Sequence, residues 1–105
     1  MMTPVEKEWK MDCSEVIFSN HAFEKMFERE IDPAEVVFVI NKGELIHEYP
    51  DDKPYGSYLM LGFPKNRPLH VVVGADEFSK RCYVITVYLP EPGLWDKEFK
   101  VRRKQ

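Results

Sequence analysis

Residues 19–43 read SNHAFEKMFEREIDPAEVVFVINKG, and this stretch decides the fold. Ser19 suits a helix N-cap, and Phe18 and Phe23 occupy the two positions of a hydrophobic staple. At about 100° per residue, Ala22, Phe23, Met26 and Phe27 make one apolar face. His21, Lys25 and Arg29 fall along an edge of that face, with the lysine and arginine stems able to cover the core border. Asp32-Pro33-Ala34-Glu35 then starts a second helix, with Asp32 as cap, Pro33 in the first turn and Glu35 completing a capping box. Val36–Ile40 is β-branched enough to read as strand. The capping box, and Gly43 as a left-handed stop after Asn41-Lys42, favour helix.

Working outward, the apolar period changes to two after Gly43. Glu44–Tyr49, Tyr55–Phe63, Leu69–Gly74 and Arg81–Leu89 are candidate strands. Short polar or proline-rich turns separate them, including the hairpin loop Pro64–Pro68, and imply antiparallel neighbours. Upstream, Ser14–Phe18 could be a short first strand. The expectation is an α+β fold: two N-terminal helices on one face of a twisted antiparallel sheet of about four strands. Residues 1–105 form a single domain, with a loose lead-in over 1–13 in which Trp9 could dock, a core over 14–89 and a short basic tail over 90–105. Leu94, Trp95 and Phe99 pin the tail. Alternation puts Leu59, Leu61, Phe63, Leu69, Val71, Val73, Tyr83, Ile85, Val87 and Leu89 under the helices. It leaves Tyr58, Met60, His70, Val72, Cys82, Val84, Thr86 and Tyr88 on the face that no helix covers.

Composition bounds the function classes. The chain has 105 residues, 44% hydrophobic and 31% charged, which suits one self-sufficient core. No apolar run approaches the roughly 20 residues of a membrane span, and the N-terminus lacks an apolar signal core. With two cysteines, Cys13 and Cys82, in no C-x-x-C pair and no disulfide framework, the expected location is the cytoplasm. The net charge of −3 is unevenly placed: residues 97–105 hold five cations and one acid, so +4, and the remainder carries −7. Any phosphate contact must use the tail and a few cations near the sheet.

Metal chemistry has little to work with. His21, His47 and His70 form no i, i+4 pair, there is no Cys/His cluster, and no metal or other cofactor is expected. Phosphate-binding glycine loops and the G-x-S-x-G elbow are missing. Cys82 as a nucleophile competes with the commoner buried, inert cysteine. Metal-free acid–base chemistry remains. RNA is cut by its own 2′-hydroxyl when one group takes its proton, cations steady the phosphorane and an acid serves the leaving oxygen. His70 and Tyr88 on the open face, His21 and Arg29 on the helix edge, Lys65 and Arg67 in the hairpin, and Arg102 and Arg103 in the tail could supply these roles. Each has an ordinary alternative: a strand histidine bonded to its neighbour, or a tyrosine packing by its ring.

The segment FSNHAFEKMFEREIDPAEV resembles the opening motif of bacterial domain-of-unknown-function family 4258. GELIHEYPDDKPYGSYLMLGF resembles its middle, and PLHVVVGAD and VITVYLPEPGLWDKEFKVRR its ends. The likeness runs from about Val16 to Arg103 and departs at Glu30, where the pattern has glycine after the arginine. Such proteins resemble the RelE/ParE toxin superfamily. That resemblance implies a toxin paired with a small antitoxin, often of zinc-finger type. RelE-type members cleave mRNA without metal, often on the ribosome, and ParE-type members act on gyrase instead. The family's recurrent polar positions match His21, Arg29, His70, Thr86 and Tyr88.

The leading expectation is therefore a metal-independent endoribonuclease toxin. His70 serves as general base or acid, Arg29 stabilises phosphate, and Tyr88 and His21 support. Lys65, Arg67, Arg102 and Arg103 hold the RNA backbone. The rival is a non-catalytic module that grips an antitoxin or a gyrase-like target, which the acidic body suits.

Overall fold

The computed structural model describes residues 12–103; Trp9 and Lys104 lie outside them. β1 (Glu15–Phe18) leads into α1 (Asn20–Arg29) and α2 (Pro33–Lys42). β2 (Glu44–Tyr49), β3 (Ser57–Gly62), β4 (Leu69–Asp76) and β5 (Arg81–Tyr88) follow as a meander, with a 3₁₀ turn at Pro64–Asn66. The sheet order is β1-β5-β4-β3-β2. The α+β class holds, but the sheet has five strands and is mixed. β1 joins the edge of β5 in parallel, because the helices carry the chain to the far edge and the meander brings it back.

The helices form for the reasons the sequence gives. Ser19 Oγ accepts the Ala22 N–H at 3.0 Å, and the Phe18 and Phe23 rings close the staple at 5.4 Å. α1 buries Ala22 and Met26, and α2 buries Val36, Val39 and Ile40, at about 2 kcal/mol for each large side chain. Glu30 ends α1 in the left-handed region (φ 54°, ψ 50°), and the Ile31 N–H returns to the Met26 carbonyl at 2.8 Å. That is the geometry a glycine favours, so the Glu30 departure is a local strain. Glu30→Gly should stabilise the protein by about 1 kcal/mol. A higher midpoint in urea with an unchanged slope would show it.

Gly43 is not a left-handed cap, since its φ is −78°. Its smallness serves a close approach instead. A Cβ there would lie 2.4 Å from the Val39 carbonyl oxygen and 2.7 Å from that of Leu61. Gly62 likewise lies under Val39, whose Cγ2 would be 2.8 Å from an added Cβ. Gly62 therefore faces α2, and alternation puts Met60 and Tyr58 on the same side.

This inverts the expectation for β3. Met60 belongs to the core beneath the helices with Val71 and Val73, while Leu59 and Leu61 face the other way. β5 inverts along half its length. A bulge opposite Val72 and Val73 inserts Ile85, so Cys82 and Val84 join the core before it and Val87 after it. Thr86 and Tyr88 keep the predicted face. Cys82 is bonded to Cys13 as a disulfide, which corrects the expectation of two unpaired cysteines. The inverted half of β5 turns Cys82 inward, and the Ser14 N–H bond to the Lys80 carbonyl brings Cys13 beside it.

The tail is pinned to the body through Trp95 and Phe99, as expected. Trp95 and Arg102 pair as an antiparallel bridge, and the Arg103 N–H returns to the Leu94 carbonyl at 2.8 Å. Asp96 accepts the backbone N–H groups of Lys100 and Glu98, at 3.0 and 3.1 Å. These donors, led by Lys100, hold its carboxyl below the usual carboxylate range. The resulting hairpin lies on the second face of the sheet as a lid. Among the described residues no helix is long and apolar enough to cross a membrane.

Candidate functional site

The second face carries its residues in rows fixed by strand register. One row runs Leu61, His70 and Tyr88; the next runs His47, Leu59, Val72 and Thr86; a third runs Tyr49, Ser57, Gly74 and Tyr83. The lid covers the first row. Trp95 meets His70 edge-on at 4.4 Å, and Tyr88 does so at 5.1 Å. His70 is wholly buried, and its Nε2–H donates to the Phe99 carbonyl at 2.8 Å. That bond leaves Nδ1 as a lone pair without a partner among the described residues. Burial pushes the His70 pKa down, against the smaller opposing effect of the Phe99 bond. The ring is a neutral, positioned group and does not meet a substrate while the lid is in place.

Beyond the lid edge the middle row, here called the trough, runs across the sheet from His47 over buried Leu59 and half-buried Val72 to Thr86. On one bank His47 and Tyr49 stack at 6.1 Å, and both are exposed. The other bank is Thr86, whose Oγ1 bonds His21 Nε2 at 3.0 Å, and Tyr88. Burial raises the Tyr88 pKa, the nearby Tyr49 phenol adds to this, and Arg102 opposes it. Tyr88 is thus a proton donor at neutral pH. The Arg102 guanidinium lies 5.8 Å from the Trp95 ring centroid, which places it at the lid edge.

The structure brings His70, Tyr88 and Arg102 together around Trp95, and bonds His21 to Thr86 in the neighbouring row. Arg29 is exposed on the last turn of α1, across the sheet from His70, so the expected pairing of those two is corrected. The reason is that α1 packs on the Leu69 and Val71 side, and β4 alternation sends His70 to the other. Lys65 and Arg67 are engaged elsewhere. Lys65 binds Asp32 at 2.7 Å and Glu35 at 3.6 Å, and Arg67 binds Glu35 at 3.4 Å and the Glu30 carbonyl at 3.0 Å. Arg103 Nε donates to the Pro92 carbonyl at 3.1 Å and braces the lid. The missed residue is His47. A bulge between Leu45 and His47 flips it from the face Leu45 occupies to the open one. Its signal is the His47, Tyr49 alternation beside a greasy Leu45-Ile46 pair. Among the described residues no three His, Cys, Asp or Glu side chains gather as metal ligands.

A family model described as Domain of unknown function (DUF4258) matches residues 18–89. The chain belongs to this family. The DUF4258 segment spans both helices, the meander and the trough residues His21, His47, His70, Thr86 and Tyr88, and the Trp95–Arg102 lid follows it. No curated protein and no solved structure matches the chain.

Proposed function

We propose that this DUF4258 protein is the toxin of a toxin–antitoxin pair and cuts RNA without a metal, in the trough of the second sheet face. The observation that supports this most is that an exposed histidine, a protonated tyrosine and an arginine all belong to the one sheet face that no helix covers. His47 takes the proton of the attacking 2′-hydroxyl. The new bond from O2′ to phosphorus forms as the bond to the 5′-oxygen breaks, leaving a 2′,3′-cyclic phosphate. Tyr88 gives its proton to the departing oxygen, and Arg102 offsets the charge on the phosphorane. His70 acts by holding Tyr88 and the lid, and His21 by holding Thr86.

The test is cleavage of RNA by the purified protein and by addition to translating ribosomes. His47→Ala and Tyr88→Phe should each slow cleavage by about 100-fold, and Arg29→Ala should leave it unchanged. An inert wild type in both settings sinks the proposal. The partner would be a small antitoxin protein, of zinc-finger type on the family likeness, with RNA or the ribosome as target and the cytoplasm as the site of action.

One observation favours the rival, a protein-binding module. Phe27 is 88% exposed and Phe23 52%, one turn apart on α1. An apolar pair this open suits a protein partner, an antitoxin or a gyrase-like target. Growth arrest that survives Tyr88→Phe but not Phe27→Ser would select that reading.

A further inference from the structure

A second recess lies between the C-terminal end of α2 and the lid, apart from the trough. Phe38 and Phe63 line it at 46% and 52% exposure, with Leu61, Lys42, Lys97 and Lys100. Its volume, about 580 Å³, is within the range of ligand pockets. Lys100 is spent on Glu44 at 3.1 Å. Lys42 and Lys97 have no ion-pair partner among the described residues, and Glu98 is the other acid of the rim. This matters in a chain whose net charge is −3, because six of the other ten cations among the described residues are held by carboxylates, Lys25 and Lys100 among them, and Arg29, Lys53, Arg102 and Arg103 are not part of this recess. Lys65, Arg67, Lys80 and Arg81 all bind carboxylates.

We infer that this recess is a binding site for single-stranded RNA, in which Phe38 and Phe63 stack bases and Lys42 and Lys97 hold phosphates. Aromatic faces beside free cations are the general means by which proteins hold an unpaired strand without reading its sequence. A duplex, with its bases stacked inside, offers these rings nothing. The inference rests on the RNA reading above and gives that reading a holding site outside the trough. It also replaces Lys65 and Arg67 as the backbone contacts.

The experiment is fluorescence anisotropy with a labelled 2′-O-methyl oligouridylate of about 12 nucleotides, a length that covers such grooves. The probe lacks the attacking hydroxyl, so binding is read without cleavage. Phe63→Ala should weaken binding about tenfold. Lys42→Gln with Lys97→Gln should flatten the slope of log affinity against log salt by about 1.4, two phosphates' worth. Both changes fall on exposed side chains, and unchanged thermal melts would verify the fold. A wild type that binds no oligonucleotide at low salt overturns the site, as does binding indifferent to all three substitutions. In the latter case cleavage still stands or falls by its own assay. Cleavage that fails while binding responds to these substitutions removes the nuclease and keeps the site.

Discussion

Trp95→Ala should destabilise the protein by about 3–5 kcal/mol, the range for removing a buried tryptophan. The indole is 5% exposed and spans the lid and the sheet. One edge meets His70, and its backbone pairs with Arg102. Without it, Leu61 and His70 would face water. Because the lid is a terminal hairpin, the loss has a ceiling: once the lid opens locally, further weakening of it costs the rest of the fold nothing. Hydrogen exchange should therefore show the Asp96 and Arg103 amides losing protection first, with the β4 and β5 amides following only at the reduced global stability. Uniform loss across the sheet would contradict a separable lid. Arg102 loses its platform in the same variant, so RNA cleavage should fall along with lid protection.

The fold around the lid should also weaken in acid. His70 is neutral when buried, and its folded pKa lies below the ordinary value of 6.5. Above pH 6.5 the folded and unfolded forms are both neutral at this site, and its contribution to stability is complete. As pH falls through 6.5 the unfolded chain takes up a proton that the folded chain refuses, and stability declines until the folded pKa is passed. A proton on Nδ1 would also sit buried without an acceptor. His70→Gln keeps a donor for the Phe99 carbonyl and removes the titration. Its stability should fall less than that of the wild type between pH 7 and pH 5, and parallel curves would refute the assignment.

The helical hairpin was legible because its signals are local. Ser19, the Phe18–Phe23 staple and Asp32-Pro33-Ala34-Glu35 act within one turn of themselves. The strands were legible from their period, but their facing was not, because facing depends on single-residue slips. The bulges at Ile85 and beside His47 each reverse the parity of the residues beyond them. One such reversal put Cys82 inside, against Cys13, and the other put His47 on the open face. The lid was visible only as Leu94, Trp95 and Phe99. Which sheet face it covers depends on long-range packing, and that packing turned His70 from an exposed base into a buried support. Lys65 and Arg67 looked like free cations because their partner, Glu35, is some thirty residues away and was already assigned to a capping box.

Glu35→Ala should cost about 3 kcal/mol, and the reason bears on function. Glu35 is 3% exposed, yet its carboxylate has three duties. It accepts the Asp32 N–H at 2.9 Å to close the start of α2, and it meets Lys65 and Arg67 from the β3–β4 turn. Losing a cap costs about 1 kcal/mol. Breaking a fully buried ion pair costs roughly 3–5 kcal/mol. Here the cations can turn to water, Lys65 being 60% exposed and Arg67 34%, so the second loss is smaller. Glu35→Gln keeps an acceptor for the cap and should lose about half as much. Lys65→Ala should lose less than about 1 kcal/mol, as an exposed pair does. Equal losses for Glu35→Ala and Lys65→Ala in urea titrations would show that the buried carboxylate is no hub. The functional corollary has the opposite sign. Glu35 holds Arg67 away from any phosphate, while Lys65 stays on Asp32 at 2.7 Å, so Glu35→Ala should free Arg67 and tighten RNA binding at low salt even as the fold weakens. Lys65→Ala in the wild-type background should leave that binding unchanged.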